Sequence, residues 1–209
     1  MPRPRLDTSG TLLLVEDWPE STDLTALFGN DHPVELDIGC GKGLFLLQEG
    51  RRRPEANFLG VDWALKYARR AAERLVKYEV SNARVVAGDI WKMLPTMADA
   101  SIAAIHVYFP DPWWKRRHRK RRLFSSTFLD TAARLLRDDS RLHVATDVEE
   151  YFGVMMKELE RHELFVPAES PVTPAPEEDG DADYLTHFER KYRLEGRAIH
   201  RTIYKRLGR

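Results

Sequence analysis

The stretch Leu36-Asp37-Ile38-Gly39-Cys40-Gly41-Lys42-Gly43 decides the reading of this 209-residue chain. The apolar run Val34 to Ile38 leads into it, and Leu44 to Leu47 opens a helix that Pro54 must end. A strand that turns through glycines into a helix lets the backbone take positive φ and approach a ligand closely. Working outward, strands are expected at Phe58 to Val61 (ending at Asp62), Arg84 to Ala87, Ile102 to Phe109, Leu142 to Ala145 and Ile199 to Leu207. Between them, Leu65, Ala68, Ala71, Ala72, Leu75 and Val76 recur at helical spacing over Trp63 to Tyr78. Ser125 or Ser126 is expected to cap a helix carrying Phe128, Leu129, Ala132, Ala133, Leu135 and Leu136. Asp147 is expected to cap the next, with Glu149 and Glu150 in its first turn. Alternating strands and helices predict a parallel α/β sheet.

Three nucleotide readings of the glycine turn compete. A Walker phosphate loop needs Ser or Thr after its lysine, and Lys42 precedes Gly43. A dinucleotide site prefers G-x-G-x-x-G, whereas the spacing here is G-x-G-x-G, with Leu44 at the third-glycine position. S-adenosylmethionine carries an α-ammonium group and a ribose diol but no pyrophosphate, so the acid before the turn, Asp37, suits it. Asp62 ends the second strand, where a carboxylate can accept both ribose hydroxyls. Asp89 follows the third strand, placed for the adenine amino group. Any one of these aspartates could simply cap a helix. Three at successive strand ends match the crevice where α/β proteins bind ligands, and together resemble the class I methyltransferase fold. The expected fold is therefore Rossmann-like: seven strands, mostly parallel, with an antiparallel C-terminal strand and helices on both faces. The expected cofactor-binding set is Asp37, Gly39, Gly41, Gly43, Asp62, Asp89, Ile90 and Asp111.

Composition narrows the field. With 33 basic and 33 acidic residues the chain is formally neutral, so any anionic partner must be met by local clustering. A single cysteine, Cys40, excludes an internal disulfide and a cysteine-rich zinc site, and no metal is expected. Cys40 has no sequence-adjacent His and reads as a small residue in a tight turn rather than a nucleophile. Met1-Pro2-Arg3-Pro4-Arg5 lacks the apolar core of a signal peptide, and no apolar run approaches a membrane span. A cytoplasmic protein of one domain over 1–209 is expected, monomeric or homodimeric, with an N-terminal extension over 1–30. Residues 168–184 are expected to form a mobile loop, since Pro171 to Asp183 holds three prolines and five acids in thirteen residues.

The most specific segment is Val107-Tyr108-Phe109-Pro110-Asp111-Pro112-Trp113-Trp114-Lys115-Arg116-Arg117-His118-Arg119-Lys120-Arg121-Arg122-Leu123. Two prolines restrict Asp111 on either side, presetting a carboxylate at a strand end. Seven of the next eight residues after Trp114 are Lys or Arg, a single-sign run that points to nucleic acid. Of Trp113 and Trp114, one is expected to stack on a base and one to pack inward.

This segment resembles the signature F-P-D-P-W-x-K-x-R-H-x-K-R-R-L of the bacterial tRNA (guanine-N7-)-methyltransferases. Leu185-Thr186-His187-Phe188-Glu189 looks like that family's T-x-[FY]-E element, and Ala145-Thr146-Asp147 matches a third. The resemblance spans about Leu36 to Arg206; Asp37 stands where many relatives carry Glu, which keeps the charge. It implies methyl transfer from S-adenosylmethionine, leaving S-adenosylhomocysteine, to a guanine in tRNA, position 46 of the variable loop. It implies that Asp111 contacts cofactor and catalysis, and that Lys115, Asp147, Thr186, His187, Phe188 and Glu189 contact substrate. Arg117, His118, Arg119, Lys120, Arg121 and Arg122 would hold the tRNA backbone without reading sequence. Rival readings are a methyltransferase for a protein or small molecule, a non-catalytic tRNA-binding protein, and an NAD-dependent oxidoreductase. The basic run opposes a small metabolite, the retained acids oppose lost cofactor binding, and the glycine spacing opposes NAD.

Overall fold

A computed structural model describes residues 6–168 and 186–208. The chain forms two compact units, Met1–Ala98 and Asp99–Arg209.

In the first unit, strands β1 (Leu12–Leu14), β2 (Val34–Ile38), β3 (Asn57–Asp62) and β4 (Ala83–Ala87) alternate with helices α1 (Leu24–Phe28), α2 (Leu44–Arg52), α3 (Leu65–Lys77) and α4 (Ile90–Met93). The four strands lie side by side in the order β1-β4-β3-β2, and every pairing is parallel. Helix α2 ends at Arg52, before Pro54, as the proline requires. The helical spacing of α3 delivers Ala68, Ala71, Ala72 and Leu75 to the core, all fully buried. Leu36, Phe58, Leu59, Val85 and Val86 of the sheet are fully buried too, on its two faces in alternation. Truncating a side chain such as Leu75 here would cost about 2–5 kcal/mol.

In the second unit, β5 (Ile102–Tyr108), β6 (Leu136–Thr146), β7 (Phe165–Pro167) and β8 (His200–Arg206) accompany α5 (Ser126–Leu135), α6 (Glu149–Arg161) and α7 (His187–Leu194). Strand β5 pairs parallel with β6, β8 runs antiparallel to β6, and β7 runs antiparallel to β8. Ser125 caps α5, its Oγ accepting from the Phe128 N–H at 3.3 Å. Ile102, Leu129, Leu135, Leu142, Tyr151 and Tyr204 form the buried centre. A 3-10 segment over Arg116–Arg121 carries the basic run.

Among the described residues eight strands stand where seven were expected. Two of them fall where the sequence placed none: Leu12–Leu14, from the presumed N-terminal extension, pairs with Val85–Ala87 on the outside of β4, and Phe165–Pro167 pairs with β8. The expected antiparallel C-terminal strand is β8. Asp147 does not cap α6. The N-cap residue is Val148, with no side-chain cap, because the Asp147 carboxylate is taken up by Arg197. The expected acidic loop, save Ala168, lies outside the described residues. No described helix is long and apolar enough to cross a membrane.

Candidate active site

Parallel register aligns the acids of the first unit. Asp37 pairs with Gly60 across β2 and β3, and Asp62 with Ala87 across β3 and β4, so Asp37, Asp62 and Asp89 end neighbouring strands on one edge. The turn between β2 and α2 runs through Gly39, Gly41 and Gly43 at φ of 83°, 54° and 68°. Those values cost a residue with a Cβ, and at Gly43 a Cβ would also lie 2.7 Å from the Ala71 Cβ. The turn is fastened to β3, because Gly39 N–H and Cys40 N–H both donate to the Val61 carbonyl, at 2.8 and 3.0 Å.

Asp62 works as a bridge. Its Oδ2 accepts from Gly41 N–H at 2.9 Å and its Oδ1 from Ala64 N–H at 2.8 Å. Asp89 realises the capping alternative: it is the N-cap of α4, its Oδ1 accepting from Trp91 N–H at 3.0 Å, with Ile90 next in the chain. Asp37 is buried, and burial first, then the charge of Asp62, pushes its carboxyl up to about 8. A carboxyl in that condition has an unmet demand for a cation, which the α-ammonium of S-adenosylmethionine would supply. The residues thus fit that molecule. Cys40 is buried, and burial raises its thiol far from the thiolate. It acts as turn packing, as the sequence suggested.

In the second unit β5 and β6 end together, Tyr108 opposite Ala145, and the Phe109 N–H donates to the Ala145 carbonyl at 2.7 Å. The loop Pro110-Asp111-Pro112 follows. It is bracketed by two bulky residues in the left-handed region, Phe109 at φ 53° and Trp113 at 44°, a strained arrangement of the kind held at functional sites. Asp111 itself is exposed. Arg122 fixes the far side of the loop: its Nε donates to the Pro112 carbonyl at 2.7 Å, and its guanidinium lies 5.0 Å from the centre of the buried Tyr151 ring. Arg122 therefore faces inward, apart from the rest of the basic run. Lys115, Arg117 and Arg121 are exposed, and Arg121 lies 5.1 Å over the Trp113 ring, which His118 meets edge-on. Trp114 is exposed and Trp113 half-buried, so neither packs in the core. The side chains of Arg119 and Lys120 lie outside the described residues.

Thr186 is the N-cap of α7, its Oγ1 accepting from Glu189 N–H at 3.0 Å. The T-x-[FY]-E element is thus half of a capping box. The Glu189 carboxylate does not complete that box. It is 1% exposed and is met by Arg193 at 2.8 Å and by Arg201. Phe188 is exposed, and its ring stacks on Tyr192 at 5.9 Å, with Phe109 5.5 Å from Tyr192. Arg197 completes the group, donating to Asp147 Oδ2 at 2.8 Å. Tyr192, Arg193, Arg197 and Arg201 were not foreseen. The i,i+4 spacing of Glu189 and Arg193 was a readable signal, but the pairing of Arg201 and Arg197 with distant acids was not. Among the described residues no group of three His, Cys, Asp or Glu is placed to hold a metal.

A family model described as "Putative methyltransferase" matches residues 31–202. Among solved structures, the chain is similar to the 16S rRNA methyltransferase KamB, with TM-score 0.67 and 14% identity over 94% of this chain and 99% of that one. It is also similar to an S-adenosylmethionine-dependent O-methyltransferase from Thermotoga maritima, with TM-score 0.55 and 16% identity, over 85% of this chain and 60% of that one. At such identities these likenesses establish the fold, which is that of the class I S-adenosylmethionine-dependent methyltransferases. The tRNA (guanine-N(7)-)-methyltransferase of Rhodopirellula baltica is 43% identical over 98% of this chain and 78% of its own length. The chain belongs to the tRNA (guanine-N(7)-)-methyltransferase family.

Proposed function

We propose that this protein transfers a methyl group from S-adenosylmethionine to N7 of a guanine in tRNA, giving 7-methylguanosine, and that the target is guanine 46 of the variable loop. The observation that carries the reading is the set of three aspartates at adjoining strand ends around a glycine turn, with Asp37 buried and its carboxyl raised by burial and by Asp62. Family membership supports tRNA as substrate, and the motif resemblance supports position 46.

Asp37 would take the α-ammonium group, Asp62 the ribose hydroxyls, and Asp89 with Ile90 the adenine, while Gly39, Gly41 and Gly43 allow close approach. S-adenosylmethionine, when bound, supplies an electrophilic methyl on a sulfonium. Guanine N7 presents a lone pair with no proton to lose, so no general base is needed. The protein's contribution is orientation and electrostatics. Asp111, preset by its prolines, faces the positive charge that grows on the imidazole ring of the base. Asp147 accepts from guanine N1–H and the exocyclic amino group, a donor pair adenine lacks. Glu189, held by Arg193 and Arg201, orients Phe188 and the first turn of α7. Lys115, Arg117, His118 and Arg121 take the phosphate backbone, with Arg119 and Lys120 beside them in sequence.

Mass spectrometry of tRNA nucleosides after incubation with enzyme and isotopically labelled S-adenosylmethionine tests the reaction. Labelled 7-methylguanosine is the expected product. A tRNA with adenine in place of guanine 46 should take up no label. Label on another nucleoside overturns the base assignment, and label retained by the substituted tRNA overturns the position.

A further inference from the structure

The Arg197 guanidinium sits in an arrangement more telling than an ordinary surface ion pair. Its Nη1 donates to Asp147 Oδ2 at 2.8 Å, and its central carbon lies 4.7 Å from the centre of the Tyr192 ring. A planar group with N–H donors is thus bonded at its edge to a carboxylate and laid on an aromatic ring. The N1–C2–N2 portion of guanine is itself a guanidine fragment, planar, with N–H donors on one edge. A guanine bound to Asp147 would present the same donors and the same flat face.

We infer that Arg197 is a stand-in for the target base: in the free enzyme it occupies the seat of the guanine Watson–Crick edge, and Tyr192 is the surface on which the base stacks. The inference rests on the reading of Asp147 as the guanine acceptor.

The local structure makes Arg197 removable. Helix α7 ends in a Schellman motif: Gly196, at φ 69°, donates to the Arg193 carbonyl at 3.0 Å, and Arg197 N–H donates to the Tyr192 carbonyl at 2.9 Å. The backbone of Arg197 is therefore fixed beside Tyr192 whatever its side chain does. The Asp147 side chain is 8% exposed while that of Arg197 is 50% exposed, so the arginine covers the acid and is itself reached by water. Its Nε also meets Glu195 at 3.0 Å, which gives the guanidinium a partner to keep when it leaves Asp147. Water reaches the Arg197 end of the pair, so the guanidinium can be resolvated as it leaves, and a base that donates to Asp147 in its place keeps the covered carboxylate satisfied. Tyr192 is braced by Phe188 and Phe109, which hold the ring in place for an incoming base. The contact also keeps the Asp147 carboxylate satisfied until a planar donor of matching shape arrives, which favours guanine over any base without an N–H pair.

Steady-state kinetics against tRNA, at saturating S-adenosylmethionine, test this. Removing a competitor for the seat raises the fraction of enzyme open to the base, so Arg197→Ala should lower the KM for tRNA roughly fivefold. The slope of log affinity against log salt should stay the same. Tyr192→Leu should raise KM by about tenfold or more, as expected for loss of base stacking, and Tyr192→Phe should recover most of that loss. An unchanged KM in Arg197→Ala overturns the inference. So does a raised KM with a salt slope smaller by about one unit, which would make Arg197 a phosphate contact. Asp147→Asn separates the two layers. If it raises KM while Arg197→Ala fails to lower it, the stand-in alone is wrong. If Asp147→Asn has no effect on KM, the guanine assignment of Asp147 falls and the stand-in falls with it.

Discussion

The carboxylate of Asp62, at the end of β3, adds to burial in lifting the Asp37 carboxyl, near the end of β2, to about 8. Asp62 is tied to backbone N–H groups at both oxygens, and Asp37 holds a proton that a bound cation would expel.

Binding of S-adenosylmethionine should therefore release a proton. Between about pH 6 and 7 the free protein carries the Asp37 proton and the complex does not, so the release should approach one proton per cofactor. Affinity should rise with pH toward about 8, then fall as the α-ammonium group, with an ordinary pKa of about 7.7–8.0, loses its own proton. Calorimetry in buffers of different ionisation enthalpy measures the release directly. Asp37→Asn should abolish it and weaken binding. A wild-type enthalpy independent of buffer would remove Asp37 from the ammonium site.

The same shift has a cost in the free protein. The folded-state pKa of Asp37, about 8, lies above its ordinary 3.8, so the folded state holds an extra proton across that window. Stability from this group is fully present below 3.8 and is lost as pH rises through about 8. Without cofactor, Asp37→Asn should thus gain stability relative to wild type as pH rises, by up to about 1.4 kcal/mol per pH unit, flattening above about 8. Denaturant unfolding of both proteins from pH 5 to about 9 checks this. A stability difference that does not vary with pH would show that Asp37 is not held protonated.

What the sequence made legible is what local chemistry dictates. The β2 turn was readable because only glycine takes φ of 83°, 54° and 68° cheaply. Helix α3 was readable because Ala68, Ala71, Ala72 and Leu75 recur at helical spacing and go inward, although Leu65 of the same expected face stays exposed at the helix start. Strand β1 was missed: three leucines with no flanking pattern become a strand only because β4 offers them an edge. Asp147 looked like a helix cap because its partner lies fifty residues away in Arg197, and a long-range pair leaves no local trace. The burial of Glu189 under Arg193 and Arg201 was not legible, because Arg201 reaches it only when β8 arrives beside β6. The Thr186 N-cap of α7, by contrast, is a local feature: its Oγ1 accepts from the Glu189 N–H three residues on, a spacing visible in the sequence.

Arg122 is placed differently from the exposed Arg117 and Arg121. Arg122 is turned toward the Pro112 carbonyl and the Tyr151 ring, so it positions the Asp111 loop and should contribute no phosphate contact. Arg122→Ala should lower kcat about tenfold or more through the misplaced loop, with the salt dependence of tRNA binding kept. Arg117→Ala and Arg121→Ala should each reduce the log–log salt slope by about one unit. Arg122→Lys can still donate to the carbonyl and should recover part of the lost kcat. A reduced salt slope in Arg122→Ala would return that residue to the phosphate contacts.

The proposed chemistry rests most heavily on Asp111. Among the described residues none donates a hydrogen bond to its carboxylate, so a capping role, in which Asn would substitute well, has no partner there. The surrounding backbone is nonetheless fixed at a cost, with Phe109 and Trp113 in the left-handed region on either side. A rigid loop that presents an uncommitted carboxylate suits a group meant to face charge developing on a substrate. Asp111→Asn preserves size and loop geometry and removes the charge. It should fold, bind tRNA, and lose roughly 10²- to 10³-fold in turnover, the scale seen when one preorganised electrostatic contact is removed. Because N7 has no proton to give up, the single-turnover rate of the wild type at saturating substrates should show no basic group titrating near neutrality. Asp111→Glu, which restores charge at the wrong reach, should recover only part of the rate. Single-turnover methylation with both substrates saturating separates chemistry from binding, and near-wild-type rates in the Asn variant would reduce Asp111 to a structural residue of the loop.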